Sequence, residues 1–335
     1  MESIDVHFHV VPLPFVEAVR ADRFREAVQI ERGNGRERIV YHAPPGVTVE
    51  PNTTFGADLF DDRRIIEGLN RRKLDAAAIG PPPELLFGWA EPAVAERIAR
   101  SMNDGIAGLV RAHPDRFFGL GMLPLQDGAR AAAELERAVT VLGLRGFEIC
   151  THVNGVDLDD PSLTLVFAAA ERLGVPLFLH PQNWGDMSRL QDYHLWNLVG
   201  FPGETALAAA RLILGSVFER FPRLRVILAH GGGFFPYQVG RLNHGYDVRR
   251  ELKQRLPRPP SEYLECIYSD SLTHSELALR FLLDRLGDDH VVIGSDYPFG
   301  MGHPAPVDAV KRMGLAPERE AKVLGRNLAR LLRVG

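Results

Sequence analysis

Short apolar runs alternate with longer amphipathic stretches along this chain. The apolar runs are brief and nearly continuous, which is typical of parallel strands that are buried on both faces. We predict eight such strands, at residues 4–10, 76–79, 117–123, 146–150, 176–179, 225–229, 266–268 and 291–293. In the first, Ile4, Val6, Phe8 and Val10 alternate with polar residues, so they are expected to share one face of the strand.

The stretches between these strands have the spacing of amphipathic helices. The clearest are residues 91–112, 128–142, 163–173, 204–220, 275–286 and 317–332. A regular strand–helix alternation predicts an α/β fold, and eight units favour a (β/α)8 TIM barrel over an open doubly wound sheet. The glycines at 231–233 follow a strand but lack the spacing of a dinucleotide-binding loop, so a Rossmann fold is not expected.

One segment interrupts the alternation, from about residue 12 to residue 60. It contains residues 36–41 and 47–49 on either side of Pro44, Pro45 and Gly46, which predicts a short hairpin inserted after the first strand. The insertion could be a lid or a second wall of the active site. A loop without a role in function fits the sequence equally well.

Length and composition limit the classes of protein that this chain can form. Its 335 residues, 45% of them hydrophobic, suit a single barrel domain over residues 1–335. The net charge of −4 gives no basic face for nucleic acid, and no apolar run is long enough to cross a membrane. Cys150 and Cys266 lie in apolar runs and are expected to be buried thiols. We therefore expect a soluble cytoplasmic protein.

Four histidines and one aspartate lie at the predicted strand ends. His7 and His9 are two residues apart on the first strand and so point the same way, while His180, His230 and Asp296 end the fifth, sixth and eighth strands. Barrel active sites are formed at these ends, and imidazole and carboxylate are common metal ligands. A single histidine there is usually only a hydrogen-bonded boundary residue. All five together favour a metal site.

Several motifs give the chain a family resemblance. It resembles the amidohydrolase superfamily in its amidohydrolase-2 branch, and within it the group of 2-amino-3-carboxymuconate-6-semialdehyde decarboxylase and related metal-dependent decarboxylases. The matching stretches are Val6-His7-Phe8-His9 with Pro12, Glu148-Ile149-Cys150-Thr151-His152-Val153-Asn154-Gly155, Leu198-Val199-Gly200-Phe201-Pro202-Gly203-Glu204-Thr205, Ala229-His230-Gly231-Gly232-Gly233 and Gly294-Ser295-Asp296-Tyr297-Pro298-Phe299.

The resemblance implies a ligand set and a reaction. His7, His9, His180 and Asp296 would bind one divalent metal ion, most simply zinc, with manganese as the alternative. His230 would be the general acid/base, acting with a metal-bound water and Asp296 in non-oxidative decarboxylation. Many superfamily members bridge two metals with a lysine on the fourth strand. This chain has none there, so one ion is expected.

The resemblance also implies contacts with a small carboxylate substrate. Phe299 and Trp196 would line the pocket, and Asn154 could touch substrate. Arg241 matches an arginine that related decarboxylases lend across a homodimer interface, where its planar guanidinium would pair with the substrate carboxylate. The alternative for Arg241 is an ordinary solvated helix residue. Asp270, at the seventh strand end, could touch substrate or orient a metal ligand.

The sequence also departs from the decarboxylase pattern. The semialdehyde decarboxylase has a second substrate arginine before its equivalent of Leu59-Phe60-Asp61, whereas residues 51–60 here contain no arginine. The substrate is therefore expected to be an aromatic or dienoic acid, and it need not be the semialdehyde. Two alternatives stay open at this point. One is a hydrolase or hydratase that uses the same metal, and the other is a non-catalytic barrel that acts as a binding module.

Overall fold

The computed structural model describes residues 1–33, 36–44, 56–182 and 187–334. Eight parallel strands form one sheet in sequential order. The first and last strands are joined by a bridge between Phe8 and Tyr297 and by the Val6 N–H donating to the Ile293 carbonyl at 2.9 Å. The predicted TIM barrel is confirmed. Its strands are β1 Ile4–His9, β2 Ala76–Gly80, β3 Phe117–Gly121, β4 Gly146–Cys150, β5 Leu177–His180, β6 Val226–Leu228, β7 Ile267–Asp270 and β8 Val291–Val292.

Helices surround the sheet, and each predicted helical stretch contains at least one. The 204–220 stretch is divided because Ser216 adopts a left-handed φ of 62°. The helices are α1 Leu13–Arg20, α2 Ala57–Phe60, α3 Asp62–Arg71, α4 Pro92–Ala112, α5 Gly128–Thr140, α6 Thr164–Leu173, α7 Phe201–Leu214, α8 Val217–Arg220, α9 Phe235–Val248, α10 Arg250–Arg255, α11 Glu276–Leu286, α12 Pro306–Arg312, α13 Pro317–Ala321 and α14 Asn327–Leu332.

The barrel interior is apolar at one end and polar at the other. Apolar side chains from seven of the eight strands pack together with α14 in its lower half. β1 contributes Ile4 and Val6 to this layer, whereas Phe8 packs outside it and stacks on Tyr297 at 4.2 Å. The predicted single apolar face of β1 is therefore split. A register shift between Asp5 and Phe8 causes the split, since a bulge reverses which side chains face inward.

The inserted segment does contain a hairpin, although not in the predicted arrangement. Its antiparallel strands are Val28–Gly33 and Arg36–Tyr41, so the partner of the second strand precedes it in sequence. The other stretch expected in this hairpin, residues 47–49, lies outside the described residues. Helix α1, which was not predicted, occupies the start of the insertion.

Two smaller expectations can also be compared with the structure. Cys150 and Cys266 are buried and free, as predicted. Within the part of the chain that the structure describes, no helix is both long and apolar enough to cross a membrane.

Candidate active site

Five side chains from four strand ends meet at the carboxyl end of the barrel. Asp296 Oδ1 lies 3.3 Å from His7 Nε2 and 3.3 Å from His9 Nε2. His180 is close to both, with ring centroids 5.1 Å from His7 and 5.4 Å from His9. The three atoms His7 Nε2, His9 Nε2 and Asp296 Oδ1 are buried and form no hydrogen bond among the described residues. Buried polar atoms normally have partners, so this convergence fits a bound cation.

The remaining nitrogen of each of three rings is engaged elsewhere. Nδ1 of His7 is 2.7 Å from Asp270 Oδ2, Nδ1 of His9 is 3.0 Å from the Pro81 carbonyl, and Nδ1 of His180 is 2.9 Å from the Pro181 carbonyl. Carbonyl and carboxylate oxygens only accept, so each Nδ1 must donate. This assignment leaves the Nε2 lone pairs available to a metal.

Burial and neighbouring charges set the protonation of these groups. Burial lowers the pKa of His9 and lowers that of His180 further, which favours the neutral imidazoles that metals require. Burial acts the same way on His7, but the Asp296 and Asp270 carboxylates outweigh it and raise its pKa to about 10. Burial alone would raise the pKa of Asp296, yet the adjacent histidines hold it well below its ordinary value.

Two of the converging residues have unusual backbone conformations. His230 has a φ of 56° and Asp296 a φ of 58°, in the left-handed region that non-glycine residues rarely adopt. His230 begins a turn in which the next three residues, all glycines, also have positive φ. Strain of this kind persists only where the surroundings enforce it, and it is concentrated at functional sites. The three glycines therefore allow the backbone to adopt this turn.

His230 differs from the other three histidines because its side chain is partly exposed. Its Nε2 lies 3.9 Å from Asp296 Oδ2, and its side chain is 19% exposed. Its ring centroid is 5.0 Å from that of His180. This position, beside the metal-fitting cluster and open to a cavity, suits proton transfer with a bound molecule.

Two overlapping groups of possible ligands lie at this end of the barrel. The first is His7, His180, His230 and Asp296, and the second is His9, Glu148 and His180. The geometry of the second group is less suitable, because the Glu148 carboxylate is 3.7 Å from His9 Nδ1, and that nitrogen already donates to Pro81. Burial raises the pKa of Glu148 well above its usual range, which favours the neutral acid. His9 Nε2 lies as close to Asp296 Oδ1 as His7 Nε2 does, at 3.3 Å, whereas His230 Nε2 is 3.9 Å from Asp296 Oδ2. The set of His7, His9, His180 and Asp296 therefore stays the predicted ligand set.

A cavity of about 270 Å³ opens above these residues, and its walls are largely aromatic. Phe299 is 5.4 Å from His9, and Trp196 is 5.3 Å from Phe201, measured between ring centroids. A neighbouring apolar cavity of about 390 Å³ shares His230 with it. The first cavity is lined by Pro83, Glu84, His180, His194, Trp196, Asn197, Phe201, His230, Asp296, Phe299, Gly300 and Met301. The space suits a flat molecule of about the size of a benzoate.

Two predicted substrate residues do not lie in this site. Asn154 is exposed in the turn between the short strands His152–Val153 and Val156–Asp157, and it lines neither cavity. Its φ of 49° shows that it is there as a turn residue. Arg241 is exposed on α9 and also lines neither cavity of its own chain.

Several cavity residues were not identified from the sequence. Phe201 stands in one of the family motifs, but nothing in its spacing showed that it would form a wall. His194 was not among the candidate site residues. It is exposed, yet it lines the cavity rim, and its ring is 4.5 Å from that of Trp196. The carbonyls of Pro81 and Pro181 follow β2 and β5 directly, which is the one signal that could have located them.

Comparisons with known proteins agree with this geometry. A sequence model of the amidohydrolase family, described as "Amidohydrolase", matches residues 4–334. The chain is 43% identical over 242 residues to a 2-amino-3-carboxymuconate-6-semialdehyde decarboxylase of Dictyostelium discoideum, covering 72% of this chain and 67% of the relative. It is 30% identical to the Caenorhabditis elegans protein of the same name, covering 90% of this chain and 86% of the relative.

Solved structures extend the similarity to the whole fold. The crystal structure of 5-carboxyvanillate decarboxylase from Sphingomonas paucimobilis matches with a TM-score of 0.85 at 28% identity, covering 100% of this chain and 99% of that one. A second 5-carboxyvanillate decarboxylase, from Novosphingobium aromaticivorans, was solved with manganese. It matches with a TM-score of 0.82 at 22% identity, covering 99% of this chain and 96% of that one, a similarity that concerns the fold alone.

Proposed function

The chain belongs to the amidohydrolase family and is an enzyme of its carboxy-lyase kind, and we propose that it decarboxylates an aromatic or dienoic carboxylic acid without an oxidant. One observation carries the proposal. A cluster of unpartnered metal-ligand atoms and an adjacent histidine lie at the floor of a small cavity with aromatic walls. That combination suits a planar, conjugated acid held over a cation.

One divalent ion would be held by His7, His9, His180 and Asp296. Three imidazoles and one carboxylate suit zinc, and manganese also accepts this donor set. The ion would supply Lewis acidity toward the oxygen atoms of a bound substrate. The protein fixes the donors in advance, because Asp270, Pro81 and Pro181 orient the three rings from behind.

His230 would move the proton that the reaction requires. Its Nε2 faces the cluster, so Nε2–H can protonate the substrate carbon that bears the carboxylate. The bond from that carbon to the carboxylate then breaks. Carbon dioxide leaves, and the electron pair returns to the conjugated system. The neutral imidazole regains a proton from solvent through its exposed side. Phe299, Trp196 and Phe201 would hold the substrate plane and limit the access of water.

The carboxylate of the substrate would need a cationic side chain as its partner. Among the described residues that line the two cavities, none is an arginine or lysine. Arg241 lies on α9 in helical register with Phe234 and Tyr237, which are 45% and 77% exposed. These three residues form an amphipathic stripe, and two of them, Phe234 and Tyr237, line a cavity together with His230. In a homodimer this stripe would face the other subunit, and Arg241 of one chain would bind the carboxylate in the other.

The direct test of the function is carbon dioxide release. The purified protein, loaded with zinc or with manganese, should release carbon dioxide from at least one acid in a panel of hydroxybenzoates and dienoic acids. His230→Ala should retain metal but lose about 10²–10⁴-fold in turnover, the usual contribution of a general acid/base. Cleavage of an amide or lactone panel without any carbon dioxide release would instead favour a hydrolase. Loss of metal in His230→Ala would make His230 a ligand.

A further inference from the structure

One buried carboxylate at the end of β7 contacts both the metal-fitting cluster and the turn that carries His230. Asp270 is fully buried. Its Oδ2 accepts from His7 Nδ1 at 2.7 Å and from the backbone N–H of His230 at 2.9 Å. Its Oδ1 accepts from the N–H groups of Gly231 at 2.7 Å and Leu272 at 3.1 Å. No other described carboxylate joins a candidate ligand to the acid/base turn in this way.

All four groups around Asp270 are donors, and this restricts what can replace it. Three are backbone N–H groups, which cannot become acceptors. The fourth, His7, must carry its proton on Nδ1 to complete the contact, and this leaves the Nε2 lone pair directed at Asp296 Oδ1, 3.3 Å away. An amide at position 270 would replace one of the two acceptor oxygens by an NH₂ group. In either orientation of the amide, that group would face two of the four donors. The site therefore needs a carboxylate rather than merely a polar side chain.

The same carboxylate stabilises a strained backbone. His230 and Gly231 have φ values of 56° and 63°, and their N–H groups are the two that Asp270 binds on the β6 side. Gly231 also packs tightly there, since a Cβ at this position would lie 2.7 Å from Thr273 Cγ2. The carboxylate therefore orients the two N–H groups with which the turn that carries His230 begins.

We propose that Asp270 is a positioning residue that sets the metal-binding tautomer of His7 and the placement of His230 together. The proposal deepens the proposed function and rests on it, because the metal and proton-transfer roles of the two histidines come from there. It goes further by coupling two roles through one side chain: a change at Asp270 would disturb metal affinity and proton transfer at once.

The variant that tests this is Asp270→Asn, with affinity for Zn²⁺ alone measured by competition against a chromophoric chelator. We expect the affinity to fall about 10–100-fold, the usual effect of losing the partner of a metal-bound histidine. The matched control is Glu134→Gln, which alters another buried carboxylate, one on α5 that accepts from Asn103 and Arg137 and lines neither cavity. The control should lower the unfolding midpoint but leave zinc affinity unchanged.

A second measurement does not depend on the variant folding. In the zinc-loaded wild-type protein with ¹⁵N-labelled histidine, His7 should be protonated on Nδ1, with that proton shifted downfield by the carboxylate. Zinc affinity of Asp270→Asn within threefold of wild type, or His7 protonated on Nε2, would overturn the proposal. Neither readout requires turnover. If no acid releases carbon dioxide while both results hold, the proposed function fails and the positioning role of Asp270 remains.

Discussion

The side chains at the barrel mouth are distinguished by which ring nitrogen is already engaged. His7, His9 and His180 each use Nδ1 to donate to an oxygen behind them, whereas Nδ1 of His230 has no hydrogen-bond partner among the described residues. A ring fixed on one side suits a ligand, which must keep one orientation. A ring without such an anchor suits an acid/base, which must exchange its proton. The difference supports the division of roles between the three buried histidines and His230.

Removing one of the fixed rings should remove the metal. We expect purified His180→Ala to contain much less than one equivalent of zinc or manganese by elemental analysis, because three donors would remain in a site built for four. His194→Ala is the matched control. His194 is exposed at the rim of the same cavity and should leave the metal content unchanged. A full equivalent in His180→Ala would exclude it from the ligand set.

Among individual residues, the sequence predicted the converging polar side chains better than the side chains that form the cavity walls. His7, His9, His180, His230 and Asp296 could be placed together because strand ends of a barrel converge whatever the loops do. The cavity wall Phe201 was missed because it begins α7 after a long connection from β5, whose path depends on tertiary packing, whereas Trp196 in that connection was predicted to line the pocket. Asn154 lies outside both cavities because the loop after β4 turns it toward solvent.

At the scale of elements, two local irregularities of the backbone direct histidine side chains into the site. The register shift in β1 turns His7 and His9 inward above Ile4 and Val6. The turn after β6 uses positive φ at four successive residues to present His230. The alternation of apolar and polar residues cannot reveal the register shift in β1, since a bulge is set by pairing with the next strand. The glycine triplet does signal the turn after β6, but its use becomes clear only when the turn is seen.

The turn gives a stability prediction at Gly233. A Cβ there would lie 2.2 Å from the Pro202 carbonyl oxygen, and its φ of 56° with ψ of −128° is unfavourable for any other residue. Gly233→Ala should therefore lose about 1–3 kcal/mol of stability, by analogy with other strained positions. Turnover should also fall as His230 shifts. Chemical denaturation of the metal-free protein measures the first effect.

The control for this change is Gly240→Ala, in the helix that follows the turn. A Cβ at Gly240 would meet nothing within 4 Å, so alanine should stabilise α9 by about 0.5–1 kcal/mol. Equal stability of the two variants would mean that the turn relaxes easily. The backbone of the turn would then be too easily deformed to fix the position of His230.

At the scale of the whole molecule, the barrel could be predicted because eight short apolar runs leave few other solutions. The insertion could not. Only its second strand, Arg36–Tyr41, was identified, and its partner Val28–Gly33 was missed. The proposed dimer rests on the exposed stripe of Phe234, Tyr237 and Arg241.

Subunit mixing tests whether Arg241 serves the neighbouring site. Arg241→Ala and His230→Ala should each be nearly inactive, since losing a charged contact to a buried carboxylate costs about 2–5 kcal/mol. In a heterodimer of the two, one site would hold both His230 and the partner's intact arginine. Random exchange should then restore about a quarter of wild-type activity per subunit, because half of the dimers are mixed and each has one complete site. If exchange is verified by mass and activity does not return, Arg241 does not act across the interface, because an arginine serving its own chain would leave every mixed site incomplete.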